Sequence, residues 1–365
     1  MNGKTLIMNT KIYEEGVMEH IFYNGKQKVN YLVIGPDGDV ISQHNESFEC
    51  SKKELQKKGI LKLEINYKND NQDGISRGYY ENGQLHFESN YKDDKQNGLS
   101  KSFYENGMLW GECMYKNDKL EGLSVEYYQD GGVQYEMNYK NNKLNGISRE
   151  YYKDGTLKSA GSYSNGRQYG ISRTYYPSGK LQYELSYKND KLDGISREYY
   201  ENGSLKLEMK YQNDKMNGLS RGYSENGIIQ FEMDYQNDKQ HGISKGYYES
   251  GALWGETTYK NEKLDGITRE YYESGALKLE MYYKNDKLDG ISREYYETGA
   301  LKIEMYYRNN KDNIVVKSYD ERGMLKPDDN NQKNSCLMDT VNYFRDLPLS
   351  YTCIKVVPNQ FGMVG

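Results

Sequence analysis

Apolar and polar residues alternate in two short runs within each 24-residue stretch of this chain, and the stretch recurs without insertion or deletion. In the copy beginning at Gly194, GISREYYENGSLKLEMKYQNDKMN, the runs Ile195 to Tyr200 and Leu205 to Tyr211 are rich in β-branched and aromatic residues. Glu201-Asn202-Gly203 separates them. Runs of about six residues are too short for helices, which average about 11, so the pair predicts a β-hairpin. Gly59, Gly83, Gly107, Gly131, Gly155, Gly179, Gly203, Gly227, Gly251, Gly275, Gly299 and Gly323 keep the 24-residue step, and a second comb runs from Gly74 to Gly290. About eleven copies fill residues 51–326.

Variants among the copies select the turn. Thr298 stands where Asn202 stands, and a β-branched residue disfavours the positive φ of a type I′ loop. Pro177, one place earlier in another copy, suits the first central position of a type I turn. A type I turn followed by glycine in the αL bulge position satisfies both, and it sets Glu198 opposite Lys206. Glu150 with Lys158, Glu270 with Lys278 and Glu294 with Lys302 repeat that opposition of sign. Small residues meet rings at the same places: Gly78 with His86, Ser102 with Trp110, Gly246 with Trp254.

This register collects Ile195, Arg197, Tyr199, Leu205, Leu207, Met209 and Tyr211 on a packed face, and Ser196, Glu198, Tyr200, Lys206, Glu208 and Lys210 on a solvated one. Gln212-Asn213-Asp214-Lys215 reverses the chain into the next copy, and Gly218 re-phases the strand as a bulge. Two strands per copy at about 4.8 Å predict an elongated ribbon roughly 100 Å long.

Composition narrows the chemistry. The chain has 40 Tyr against 7 Phe and 2 Trp, so burial leans on tyrosine bodies whose hydroxyls need partners or water. A net charge of −5 supplies no basic field for phosphate backbones, which argues against nucleic acid. Cys50, Cys113, Cys336 and Cys353 share no CxxC spacing, which suggests neither a zinc site nor a disulfide framework. Leu6-Ile7-Met8 is too short for the apolar core of a signal peptide, and the expectation is a soluble cytoplasmic protein. His20, His44, His86 and His241 occupy unrelated repeat positions, and the recurring serine at Ser76, Ser100 and Ser124 has no histidine beside it. Asn69-Asp70-Asn71-Gln72-Asp73-Gly74 begins like a calcium loop but carries Tyr80 where the bidentate glutamate belongs. No enzyme, cofactor or metal is expected.

The run Tyr187 to Lys206, YKNDKLDGISREYYENGSLK, resembles the MORN repeat family, specifically its variant subfamily found in many bacterial proteins; the likeness recurs in phase over about three quarters of the chain. The resemblance implies an all-β fold, a single-layer antiparallel hairpin array. One departure is the family's N-G-K turn, whose glycine is aspartate in Asn189-Asp190-Lys191. Residues 1–50 read as degenerate N-terminal repeats forming a cap, with decayed turns at Gly16 and Gly38. Residues 327–334 read as a polar linker and 335–365 as a non-repeat cap, with a helix from Ser335 to Asp346 and a strand from Tyr351 to Val357.

The expected function is a non-enzymatic scaffold for protein–protein interaction along the ribbon. Arg197, Arg221, Tyr199, Tyr223 and Tyr247 are its candidate partner-binding residues, because Arg and Tyr are enriched at interfaces and recur here along one face. Stacking of guanidinium groups on tyrosine rings is the structural alternative for them. Trp110 and Trp254 are candidate anchors on the other face, where covering a glycine explains them equally well. Some bacterial members of the variant subfamily are antitoxins, so the resemblance implies neutralisation of a cognate toxin as a second reading. A membrane-associated scaffold, as among eukaryotic members, is the third.

Overall fold

The computed structural model describes residues 6–14, 16–24, 27–34, 40–45, 61–309, 311–312 and 317–326, which form antiparallel strands and the turns between them. The fold of the described residues is all-β. Two compact units share them, one of residues 1–193 with 201–203, the other of 194–200 with 204–365. The expected linker, the C-terminal helix and strand, Gly38 and Gly59 lie outside the described residues.

In the first unit, β1 (Leu6–Tyr13), β2 (Met18–Asn24), β3 (Gln27–Ile34) and β4 (Val40–Asn45) form a meander. The strand β1 also pairs with β5 (Leu61–Lys68), which leads into the first full hairpin. At Gly16 the predicted turn is present, with Gly16 N–H donating to the Tyr13 carbonyl at 3.0 Å. Tyr13, Val17, Ile21 and Val33 pack behind it.

Each hairpin turn is built as the variants imply. Gly83 N–H donates to the Tyr80 carbonyl at 2.9 Å, Tyr80 N–H donates to the Gln84 carbonyl at 2.8 Å, and Gly83 has φ +82°. The type I turn and αL glycine start the register at Tyr199 opposite Leu205. One residue later the second strand bulges, so Glu198 is paired with Leu207, Arg197 with Glu208 and Ser196 with Met209. This corrects the predicted faces: Glu198 and Ser196 lie on the packed face, and Arg197 and Tyr199 on the other. A bulge sets two residues against one, so Lys206 still reaches Glu198, Nζ to Oε1 2.7 Å. The charge covariation therefore reported a true contact in a shifted register. The same shift covers Gly78 and Gly222 with Phe87 and Phe231, their direct cross-strand partners. His86 instead stacks on Tyr80 with ring centroids 4.2 Å apart.

Between copies the chain turns through two residues in αL. Asn213 and Asp214 have φ 51° and 68°, the type I′ geometry that suits the strand twist. Aspartate here has a partner that glycine could not serve. Asp118 N–H donates to the Gln96 carbonyl at 2.9 Å while its Oδ1 accepts from Gln96 N–H at 2.7 Å. Asp94 with Gln72, and Asp190 with Gln168, repeat the reciprocal pair. Gly166 keeps only the backbone half, donating to Leu144 at 2.8 Å. Gly218, at φ +112°, then re-phases the strand as expected.

The packed face stacks the same residue types copy upon copy. In the second unit Met209 and Met281 are buried, with Leu207, Leu279, Tyr211 and Tyr283 beside them. Tyr211 Oη points at Met209 Sδ, 3.4 Å away. The Tyr-Tyr dipeptide supplies a second link: Tyr200 Oη donates to the Tyr223 carbonyl at 2.9 Å, Tyr248 to Tyr271 at 2.7 Å and Tyr272 to Tyr295 at 2.9 Å. Tyr80, Tyr104, Tyr128 and Tyr152 do the same in the first unit. Each such strut ties one hairpin to the strand of the next, which is how a quasi-one-dimensional array gains its nearest-neighbour stability. Ser224 occupies the strut position of its copy and its Oγ is used locally, accepting from Ile228 N–H at 3.2 Å.

Candidate interaction face

Alternation puts a line of charge along the outer face. In the second unit the directly paired residues run Arg197, Glu208, Arg221, Glu232, Lys245, Glu256, Arg269, Glu280, Arg293, Glu304, Lys317 without interruption. Glutamates sit between cations and are shared. Glu208 lies 2.8 Å from Arg197 Nε and 3.6 Å from Arg221 Nη1, and Arg269 reaches Glu280 at 2.8 Å and Glu256 at 3.2 Å. The guanidinium groups are about one-third exposed, so each pair contributes roughly 0.2–1 kcal/mol and is weakened by salt.

Two rows flank the ladder. On one side Tyr247 Oη donates to Glu232 at 2.9 Å and Tyr271 Oη to Glu256 at 3.2 Å. Burial and the adjoining Glu232 carboxylate push the Tyr247 hydroxyl up to about 12. On the other side, two residues before the ladder residue of the first strands, stand aliphatics that are exposed at Ile195, Ile243 and Ile291 here and at Leu99, Leu123, Ile147 and Ile171 in the first unit, and half-buried at Ile75, Leu219 and Ile267. The exposed members run from 37% to 52%, which is high for branched aliphatics recurring on one face.

The first unit carries the same ladder with two interruptions. Glu64, Arg77, Glu88, Lys101 and Glu112 are followed by Val125, and Glu136 and Arg149 by Ala160, before Arg173 and Glu184 resume it. Where Glu126 turns toward the packed face, Gln134 takes the place that lysine holds beside Glu150 and Glu198. Burial pushes the Glu126 carboxyl up.

The structure divides the sequence-predicted site residues. Arg197, Arg221, Tyr199, Tyr223 and Tyr247 share the outer face with the ladder. Trp254 instead packs against the buried cluster of Tyr259, Leu264, Leu279, Met281 and Tyr283. Trp110 is the bulge residue of its hairpin, equivalent to Lys206. Ser148, Ser196, Ser220, Ser244 and Ser292 are buried on the packed face, unreachable by any substrate. His20 lies against Thr10 at 2.9 Å, far along the chain from His86 and His241, and no cluster of three metal-ligating groups occurs among the described residues. The ladder was missed at the level of sequence because the expected register set Arg197 on the packed face, away from Glu208.

The repeat pattern matches the family described as MORN repeat variant in ten segments: residues 72–93, 96–117, 120–141, 144–165, 168–189, 192–213, 216–237, 240–261, 264–285 and 288–309. The chain belongs to this family. Each matched MORN segment begins just after one inter-copy turn and ends in the next, so the family's unit is the hairpin plus its link. No curated protein matches the chain. Among solved structures, the Photorhabdus luminescens Tc holotoxin pore shares 12% identity over 87% of this chain and 23% of its own, with a TM-score of 0.16. A porin-like protein from Bacteroides uniformis shares 7% identity over 75% and 93% of the two chains, also at 0.16. This MORN chain thus spans about a quarter of the toxin chain, and overlaps at these scores carry no argument about its fold or role.

Proposed function

We propose that this MORN array is a non-enzymatic scaffold that binds a protein partner along its outer face. The observation that carries the reading is the exposed aliphatic row beside the charge ladder. Apolar side chains recur there about every 10 Å, two strands apart, next to groups that fix register by sign. The net charge of −5 favours a protein partner over nucleic acid. The setting that fits is cytoplasmic, and no step of the proposed role calls for a cofactor.

Affinity capture with the full chain tests this against a variant carrying Ile147→Ser, Ile171→Ser, Ile243→Ser and Ile291→Ser. The exposed sites should leave thermal unfolding unchanged while capture of the main partner falls at least about tenfold. Equal capture by both proteins would sink the proposal. The captured chain also separates two narrower readings: a toxin whose action stops on binding identifies an antitoxin, and retention on lipid vesicles identifies a membrane-associated scaffold.

A further inference from the structure

The ladder shows by its own repetition what Ala160 lacks. Ala160 is paired directly with Arg149 on one side and Arg173 on the other, the place where Glu208 stands between Arg197 and Arg221. Arg149 holds Glu136 at 3.2 Å and Arg173 holds Glu184 at 2.8 Å, each on its far side. Both guanidinium groups therefore face a methyl group across the gap. Their side chains are 40% and 44% exposed, against 33% for Arg77, Arg197, Arg269 and Arg293 and 37% for Arg221.

The neighbourhood adds to the positive charge. At the turn end of the same hairpin pair, an open depression of about 520 Å³ is lined by Lys143, Ser164, Asn165, Arg167, Tyr169 and Asn189. Tyr169 is 58% exposed and replaces the polar residue found at that position in the other copies. Ile147 and Ile171, two residues from each arginine, flank the gap with exposed apolar surface.

We infer that the gap over Ala160 is a docking point for an aspartate or glutamate side chain of a protein partner, whose carboxylate bridges Arg149 and Arg173 as Glu208 bridges Arg197 and Arg221. The inference rests on the scaffold reading and gives the partner's chemistry at one place. A carboxylate accepts from two guanidinium groups at once, and the exposed isoleucines receive the apolar residues beside it. Ala160→Glu would supply the missing acid from within and close the site.

The test follows the arginine Nε–Hε resonances of the full chain, assigned with Arg149→Lys and Arg173→Lys, during titration with an N-acetylated triglutamate amide. The resonances of Arg149 and Arg173 should shift and saturate while that of Arg221 stays. In Ala160→Glu binding should weaken at least about tenfold, and the two resonances should already resemble those of internally bridged arginines. Arg149→Gln should weaken binding likewise, which keeps the test decisive if Ala160→Glu does not fold. A trilysine peptide should produce no shift. Uniform shifts at all arginines, or unaltered affinity in both variants, would overturn the inference. Inorganic phosphate binding as tightly as the peptide would overturn it too, in favour of a free anion. Loss of this site with capture through the aliphatic row intact would leave the scaffold standing without it.

Discussion

Replacing Ser224 by tyrosine should stabilise the second unit, because it restores the one strut missing among its inter-copy tyrosines. Tyr200, Tyr248, Tyr272 and Tyr296 each donate to the carbonyl 23 residues on, at 2.7 to 3.1 Å. Ser224 is too short to reach Tyr247. A hydrogen bond of this kind contributes about 0.5–1.5 kcal/mol net. Burying roughly 80 Å² of ring surface adds about 2 kcal/mol at 25 cal/mol per Å². Ordering the side chain and losing the 3.2 Å bond to Ile228 N–H remove about 1 kcal/mol or more. The expected gain is about 1–2 kcal/mol, local to the junction of two copies, since repeat arrays couple through nearest neighbours. Native-state amide exchange reads it without assuming two-state unfolding. Amides of residues 218–236 and 242–260 should exchange about tenfold more slowly, since about 1.4 kcal/mol is a factor of ten. Ser224→Phe should deliver the ring's share alone, and Tyr200→Phe should lose about 1 kcal/mol at its own junction. Equal protection by Tyr and Phe would show the hydroxyl to be idle, and no protection by either would refute the strut.

Ser196 is fully buried with an Oγ that finds no acceptor, so Ser196→Ala should be neutral or stabilising by up to about 1 kcal/mol in urea titration, and a clear loss would reveal a hidden partner. Burial raises Glu126, so its charge opposes folding once pH climbs through the raised folded value; Glu126→Gln should stabilise at pH 7 and make little difference below the ordinary carboxylate range, a contrast that thermal melts at the two pH values will show. Asp118→Ala should destabilise more than Asp118→Gly by about 1–2 kcal/mol, since both lose the bond to Gln96 N–H while only alanine resists αL; urea midpoints in the reverse order would refute the turn assignment.

How much of this was legible depended on which residue carried the signal. Thr298 and Pro177 selected the hairpin turn, and the αL glycines stand where the comb places them. The bulge at Lys206 left no such mark. Its residue is lysine, tryptophan, histidine or glutamine in different copies, none with a backbone preference, and its contact with Glu198 satisfies either register. One unseen residue was enough to exchange the faces of every first strand, as a period of two dictates. The ladder could nevertheless have revealed the slip. Position 77 and its equivalents are basic in every copy but Val125, and position 88 and its equivalents are acidic in every copy but Ala160. Two combs of opposite sign belong on one face, where cross-strand partners attract. The predicted register separated them.

The two faces of each strand answer different demands, which explains why the interruptions matter more on one than on the other. On the packed face a change must be absorbed by the facing strand of the same hairpin, and it is: Gly78 and Gly222 are met by Phe87 and Phe231, while glutamates such as Glu150 and Glu198 are met by lysines. Substitution there is compensated, as close packing requires. On the outer face Ala160 has no internal compensation. Arg149 and Arg173 stand on either side of it, each held by the glutamate beyond. The other copies place a glutamate at this position, and two guanidinium groups across a methyl group leave its place open to a carboxylate from another molecule, the site inferred above.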